Sequence, residues 1–554
     1  MTGVTSVSDA ATRPPAASGA LPPPPDVPRA VDRGRRGDRI AALALGALAV
    51  AVGAAAMGPW PVGVFWDDGV YVILAKSLAT GEGLRYLHIP GKPAGTHYPP
   101  AYPMLLALLW KLSPSFPGNV ALFKLANAVM LGVTAGASYL FARRRLVLHP
   151  AAAAAASFGF SVCIPTLVLA GVLMSETMFA ALLIPSLWAG ERAAERGGAP
   201  WAAGAGALAG LLGLVRTIGV FALPALLLVL LVRRRFREAG AALAAALALL
   251  LPWQLWVGAH VHELPTVIGG SYGPYLAWLA RAVLDNGLPF VWEVARQNCA
   301  DAAKSFAVLF SPLHPLAFKA VAVALFLGFL AAGVWRMARL APVAAAFVVM
   351  YLGVVIVWPY NPERFIWAVW PLLGLVLAAG FAGAWRWRPA PGAAGRSARI
   401  AALAGAAFVA AGYLRYNARG AARRWWESPQ RVQTEATWPI VQWVVAATSP
   451  DDVISGDGHV MVYLYTGRRA VPTAGFLPEE HTRPLTLERR VADLREIIRV
   501  FGAKYVVVPR HDPATAAVTS FLTRTSPPEL RQLGQLPNGI GIYVPTTPPP
   551  PPAG

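Results

Sequence analysis

Long apolar runs alternate with short basic or mixed stretches along nearly the whole chain. From Ile40 onward the runs approach the length a helix needs to cross a bilayer, about 20 residues. Runs near 39–60, 118–142, 150–172, 174–190, 201–215, 217–232, 239–259, 316–335, 341–358, 364–384 and 399–416 predict about eleven helices. The basic stretches between them agree with one another. Arg143–Arg145, Arg192/Arg196, Arg233–Arg237, Arg336/Arg339 and Arg386–Arg399 all fall on one side if the chain crosses at every run, and "RAVDRGRRGDR" before the first run joins them. Positive loops stay in the cytoplasm. The amino terminus is therefore expected inside, and an odd number of crossings puts roughly the last 130 residues outside.

That topology leaves three features at the outer face: a segment 61–117, a segment 260–315, and a module over 417–545. In the module, "DDVISGDG" reads as strand and turn, "HVMVYLYTG" and "LREIIRVFG" as helices, and "AKYVVVP" as a buried strand. Alternating helix and strand predicts a small α/β domain. Residues 1–38 are rich in Pro, Ala and Arg without an apolar core and read as a disordered cytoplasmic tail; 546–554 read as a Pro-rich tail. The middle, 39–416, is the membrane domain.

Composition supports this reading. Of 554 residues 56% are hydrophobic and only 14% charged, where a water-soluble domain carries about a quarter. The net charge of +20 would suggest nucleic acid in a soluble chain, but here the arginines sit between apolar runs. No nucleic-acid partner is expected; membrane lipids are. Two cysteines, Cys163 and Cys299, make no disulfide framework, and no phosphate-cradling glycine loop or internal repeat is found.

Against this apolar background, the adjacent carboxylates Asp67 and Asp68 stand out. They open a stretch, "DGVYVILAKSLATG", that reads as a helix of roughly 12 residues, too short to cross and suited to the membrane interface. One reading makes Asp67 its amino-terminal cap. Another makes it chemical, because a cap position aims a carboxylate away from the helix start. Deeper charges are fewer. Arg216 lies roughly 22 Å above the cytoplasmic end of its run, inside a hydrocarbon core about 30 Å thick. Glu176 is at similar depth, so an ion pair between them and a role in a site are both open. Arg364, in "WPYNPERFIWAVWP", is an interfacial arginine among tryptophans, a place where it can be only an anchor. Lys92, His97 and Lys124 are the weaker basic candidates. "HVHE", His260 to Glu263, lacks the third ligand cluster a metal needs, and Asp457 in "SGDGH" reads as a turn residue. No metal site is expected.

The stretch "FWDDGVYVILAKSLATGEGL … THYPPAYPMLLALLWKLSP" resembles the first outer loop of GT-C membrane glycosyltransferases of family 39 and its bacterial relatives, which include protein O-mannosyltransferases and lipid A aminoarabinose transferases. Asp67, Asp68, Tyr71, Gly81, Gly83, Pro99, Pro100, Tyr102 and Pro103 match the pattern. His97–Tyr98 stands where several relatives carry a lysine. "LVLAGVLMSETMFAALL", "LAGLLGLVRTIGVFALPALLL" and "NPERFIWAVWPLLGLVL" extend the likeness over most of the chain. The resemblance implies a GT-C fold and transfer of a sugar from a polyprenyl-phosphate donor to a lipid, glycan or protein acceptor at the outer face of a bacterial inner membrane. It implies Asp67 and Asp68 as catalytic residues and Glu176, Arg216, Arg364, Lys92, His97, Tyr98 and Tyr102 as substrate-binding ones, with no cofactor beyond the lipid-linked sugar. A lipid or sugar transporter without transfer chemistry is the alternative. Transporters place ionisable groups on broken helices near the midplane, often in repeated halves.

Overall fold

Each of the apolar runs carries a helix in the computed structural model, which describes residues 28–387, 392–509 and 512–548. Most of the expected amino-terminal tail and the last six residues of the Pro-rich tail lie outside the described residues. From Pro28 onward the chain is already in its first helix, Pro28–Ala55. Among the described residues, five helices are long and apolar enough to cross a membrane: Arg35–Ala55, Val120–Arg144, Phe236–Glu263, Leu316–Leu340 and Ala393–Ala422. The number rises to seven if two bent pairs each count as one span, Pro150–Ser161 with Ile164–Gly171 (44°) and Pro362–Ala368 with Trp370–Arg386 (74°).

A bend inside a membrane exposes backbone groups that need new partners. At the first bend the Cys163 N–H donates to Thr166 Oγ1 (3.0 Å) and the Ile164 N–H to Asn417 Oδ1 (2.9 Å). At the second, the Val369 N–H donates to the Ile366 carbonyl (3.2 Å), and Pro371, in the first turn of the following helix, needs no acceptor.

Small residues let the helices touch backbone to backbone, as membrane packing favours. A Cβ on Gly206 of the Ala199–Val215 helix would stand 2.1 Å from the Ala242 carbonyl oxygen of the Phe236–His260 helix. The basic clusters meet at one end of the bundle. There Arg143 pairs with Asp38 (2.8 Å), and Arg145 pairs with Glu195. Arg233, Arg235, Arg336 and Arg386 donate to the carbonyls of Ala194, Ala193, Leu146 and Val147.

The opposite end carries everything else. The segment 61–117 holds two short helices, Asp67–Ala79 and Ala101–Leu112. The first was expected to lie in the membrane interface. Instead it is buried on nearly every face, between the second helix and the carboxyl-terminal module. Its run of apolar residues, Val70 to Ala75, covers all sides rather than one, so it packs in protein. The interfacial pattern belongs to Ala101–Leu112, where Met104, Leu108 and Leu112 form an exposed stripe at four-residue spacing. The segment 260–315 is mostly one helix, Tyr275–Phe310, broken at Gly287, whose φ of 70° suits glycine.

The carboxyl-terminal module is a five-stranded sheet: β1 (Val453–Gly456), β2 (Ala470–Val471), β3 (Ala503–Val508), β4 (Leu530–Gln535) and β5 (Gly541–Pro545), in the order β2-β1-β3-β5-β4. The first three strands run parallel, and β5 pairs antiparallel to both β3 and β4. The helices expected from "HVMVYLYTG" and "LREIIRVFG" are His459–Thr466 and Leu487–Phe501. Val453, Val460, Val471, Ile497 and Phe501 share one core with Tyr71, Tyr86, Tyr98 and Tyr102 of the first segment. The module thus packs over the Asp67 helix through its own helix His459–Thr466.

Two glycines of one helix test the packing. Ala at Gly206 should lower thermal stability, because overpacking costs roughly 1–3 kcal/mol and outweighs the helix propensity gained, about 1 kcal/mol. Ala at Gly204, which meets nothing within 4 Å, should be neutral or stabilising in the same detergent.

Candidate active site

The backbone turns sharply at Trp66 (φ 65°, ψ −70°) before the helix begins at Asp67. Neighbouring residues at a helix start point about 100° apart. The two carboxylates therefore diverge. Asp68 turns back onto its own loop, accepting the N–H groups of Gly63 (2.7 Å) and Phe65 (2.9 Å), and is wholly buried. Asp67 points into the bundle end. It is neither the helix cap nor bonded to the loop: one oxygen accepts the Tyr98 hydroxyl (2.5 Å), and the other pairs with Arg364.

Arg364 sits on the short helix Pro362–Ala368, tilted 74° from its continuation, which brings the guanidinium over the helix start at Glu176. Its Nε donates to Glu176 Oε1 (2.5 Å), and its Nη2 lies 3.5 Å from Met174 Sδ. Glu176 Oε2 then pairs with Arg216 Nη1 (2.8 Å). Arg216 caps the end of the Ala199–Val215 helix and also donates to Ser175 Oγ (3.1 Å), which meets the Tyr71 hydroxyl at 2.9 Å. The ion pair open as a structural reading, Glu176 with Arg216, is real, and it continues through Arg364 to Asp67. Exposure grades along this line. Glu176 and Arg216 side chains are 1% and 8% exposed, Asp67 and Arg364 20% and 33%. The buried pair is the floor, the other the rim.

Of the residues expected at the site, the structure brings Asp67, Tyr98, Glu176, Arg216 and Arg364 into one line of ion pairs and hydrogen bonds. His97 lies beside it: its Nδ1 donates to the Gly273 carbonyl (2.5 Å), and its ring packs on Tyr98 and Tyr275. Tyr102 is underneath, bonded to Asn127 (3.0 Å) with its ring edge on Tyr71. Lys92 is elsewhere, paired with Glu82 (2.5 Å) at the surface. Lys124 holds the carbonyls of Gly58 (2.9 Å) and Trp60 (2.8 Å), closing the loop before Asp67. Glu263 of "HVHE" ties down Arg85 (2.9 Å) and the Ala94 N–H (3.2 Å). No group of three or more His, Cys, Asp or Glu among the described residues is arranged to hold a metal. Ser175 and Met174 were missed, and only their place before Glu176 at a helix start could have pointed to them.

Electrostatics separate the two aspartates further. Burial pushes the Asp67 carboxyl up, but Arg364 and the Tyr98 hydroxyl bring it below the usual carboxylate value, so it is ionised at neutral pH. Burial pushes Asp68 up to about 6 despite its backbone donors. A value near 6 would suit a general base, yet both Asp68 oxygens are enclosed by backbone, and geometry decides first. Asp67 is the carboxylate a ligand can reach.

The raised Asp68 value has a signed consequence. The folded state holds this proton more tightly than the unfolded chain, so the stability it contributes is full below about pH 4 and lost as pH rises through 6. The difference in unfolding temperature between wild type and Asp68→Asn should therefore shrink in that window. The shift of about 2 units corresponds to roughly 3 kcal/mol at most. Thermal scans of both proteins from pH 4 to 7 check it; a constant difference would show that Asp68 ionises normally.

Residues 97–256 match the family described as dolichyl-phosphate-mannose-protein mannosyltransferase. The match takes in His97, Tyr98, Tyr102, Glu176 and Arg216 and lies outside Asp67 and Arg364. No curated protein matches the sequence. Among solved structures, ArnT from Cupriavidus metallidurans bound to undecaprenyl phosphate superposes with a TM-score of 0.52 at 14% identity, covering 92% of this chain and 98% of that one. The apo state of the same protein gives 0.51 at 15% identity, covering 90% and 96%. The resemblance read from the sequence thus meets a family match over residues 97–256 and a shared fold over 92% of the chain.

Proposed function

We propose that the chain is a membrane glycosyltransferase that moves a sugar from a polyprenyl-phosphate donor to an acceptor hydroxyl at the membrane face carrying Asp67. One observation carries the reading: a reachable carboxylate, Asp67, is paired with an arginine, Arg364, that is itself backed by the buried Glu176–Arg216 pair. Transfer needs a proton acceptor and a cationic seat for the departing phosphate, side by side. The acceptor oxygen forms a bond to the anomeric carbon, its proton passes to Asp67, and the sugar–phosphate bond breaks with its electrons on the phosphate. Attack opposite the leaving group inverts the anomeric centre. Arg364 and Arg216 are the cations, and Arg216 keeps a buried Nε without a partner among the described residues. The likeness to ArnT, solved with undecaprenyl phosphate, supports a lipid-linked donor.

In the donor-free arrangement Arg364 neutralises Asp67, which weakens it as a base. A donor phosphate that draws Arg364 away would restore its proton affinity. The base is then strongest when the donor is seated. Two results are expected of purified protein given radiolabelled polyprenyl-phosphate sugars. Asp67→Asn should lower turnover on the order of a hundred- to ten-thousand-fold while staying folded, since Arg364 keeps Glu176. In the wild type, the acid limb of kcat should lie at higher pH than that of kcat/KM, because the first reports the donor complex and the second the free enzyme. Normal turnover in Asp67→Asn would remove the base.

The same reading places eleven spans in the membrane: the seven that satisfy length and composition, plus Glu176–Arg196, Ala199–Val215, Thr217–Val232 and Pro342–Val357. The membrane is a bacterial inner membrane, with the arginine-rich end cytoplasmic and the sheet periplasmic. Reporter fusions after Arg237 should read cytoplasmic and after Gly420 periplasmic. A cytoplasmic signal at Gly420 would invert the site.

A further inference from the structure

Trp66, the residue before Asp67, holds a backbone conformation that side chains avoid. With φ 65° and ψ −70° it centres a γ-turn closed by the Asp67 N–H on the Phe65 carbonyl at 2.7 Å. Such a turn is strained and persists only where its surroundings over-determine it. On one side the Asp68 carboxylate holds Gly63 and Phe65. On the other, the indole of Trp66 packs edge-on against His459 with ring centroids 4.2 Å apart, and tilted against Tyr272 at 5.6 Å.

Those two rings are themselves fixed. The Tyr272 hydroxyl lies 2.7 Å from His459 Nε2 and 2.9 Å from His88 Nε2. One hydroxyl proton serves one imidazole, so the other must donate, and the two histidines are opposite tautomers. All three residues are buried. Burial brings His459 down to about 3 and His88 well below its ordinary value, so both are neutral at any working pH. His459 opens the helix His459–Thr466 of the sheet module, Tyr272 belongs to the segment 260–315, and His88 to the segment 61–117. Three distant stretches of chain meet behind the residue that aims Asp67.

We propose that the sheet module is a positioning part of the transfer site: His459, seated on Tyr272, clamps Trp66 and so sets Asp67 between Tyr98 and Arg364. This rests on the reading of Asp67 as the base. None of the three rings touches the reacting atoms, so each is a positioning residue. Release of Trp66 lets the Asp67 carboxylate drift from Arg364, and a misplacement of about 1 Å costs on the order of a hundred-fold in rate.

The test uses the full chain, donor and acceptor. Trp66→Gly removes the ring and relaxes the turn, since glycine takes positive φ freely. Relief of the turn offsets only part of the packing lost with the indole, so the protein should stay folded while kcat falls on the order of a hundred-fold, with the donor KM little changed. The acid limb of kcat/KM should move to higher pH, because a carboxylate away from Arg364 loses the charge that holds its proton affinity down. Trp66→Phe, which keeps an aromatic edge for His459, should recover most of the rate. His459→Gln, which keeps the bond to Tyr272 but not the ring face, should behave like Trp66→Gly. Wild-type kcat in Trp66→Gly, or a loss of kcat with an unmoved acid limb, overturns the clamp. An Asp67→Asn control separates the two failures. If that variant is inactive while Trp66→Gly is normal, only the clamp falls; if it turns over normally, the base assignment falls first.

Discussion

The line of alternating charges from Asp67 through Arg364 and Glu176 to Arg216 is the constraint around which this end of the molecule is built. An arginine at membrane depth is tolerable only with partners and inside the protein. Glu176 meets that need for two arginines at once, with one oxygen for each. Removing one member of such a buried pair typically costs about 3–5 kcal/mol, because the partner is left charged and unpaired. The bundle therefore bends where the line requires it. The helix carrying Arg364 is tilted by 74° from its continuation, and Arg216 stands where the Ala199–Val215 helix stops.

That line is also what gives the open rim its chemistry. A carboxylate alone in a protein interior would take up a proton, and a lone arginine would draw in any anion. Paired, they remain ionised and mutually neutral until a stronger anion competes for the arginine. The floor pair keeps Arg364 fixed from below during that exchange. The Tyr98 hydroxyl does the same for Asp67 from the side, and His97 steadies Tyr98 through its bond to Gly273. Exposed and buried charges thus belong to one network, which is why sequence-level roles could not be divided residue by residue.

The segments above the bundle serve the same end. The Asp67 helix is enclosed by protein rather than lipid, and the sheet module presses on it through a shared core. A carboxylate whose helix floated in the membrane interface would have no fixed depth. One whose helix is gripped by the sheet, and whose preceding residue is wedged between Tyr272 and His459, has little freedom left.

Much of this was legible in the chain alone. Run lengths and arginine placement predicted the helices and the gathering of basic clusters at one end, because hydrophobic length and loop charge are local properties. The strands and helices of the module followed from short-range periodicity in the same way. The candidates Asp67, Glu176, Arg216 and Arg364 could be picked because a charge amid apolar residues is conspicuous wherever it folds. Their pairing could not, since Asp67 and Arg364 are 297 positions apart and Arg364 and Glu176 188. Nor could the fate of Asp68, whose partners are backbone groups of its own loop, or of Lys92, drawn to Glu82 at the surface. An acidic pair reads as one feature in sequence. Only the turn at Trp66 and the helical step of about 100° per residue separate it into one carboxylate that faces the site and one that holds the loop.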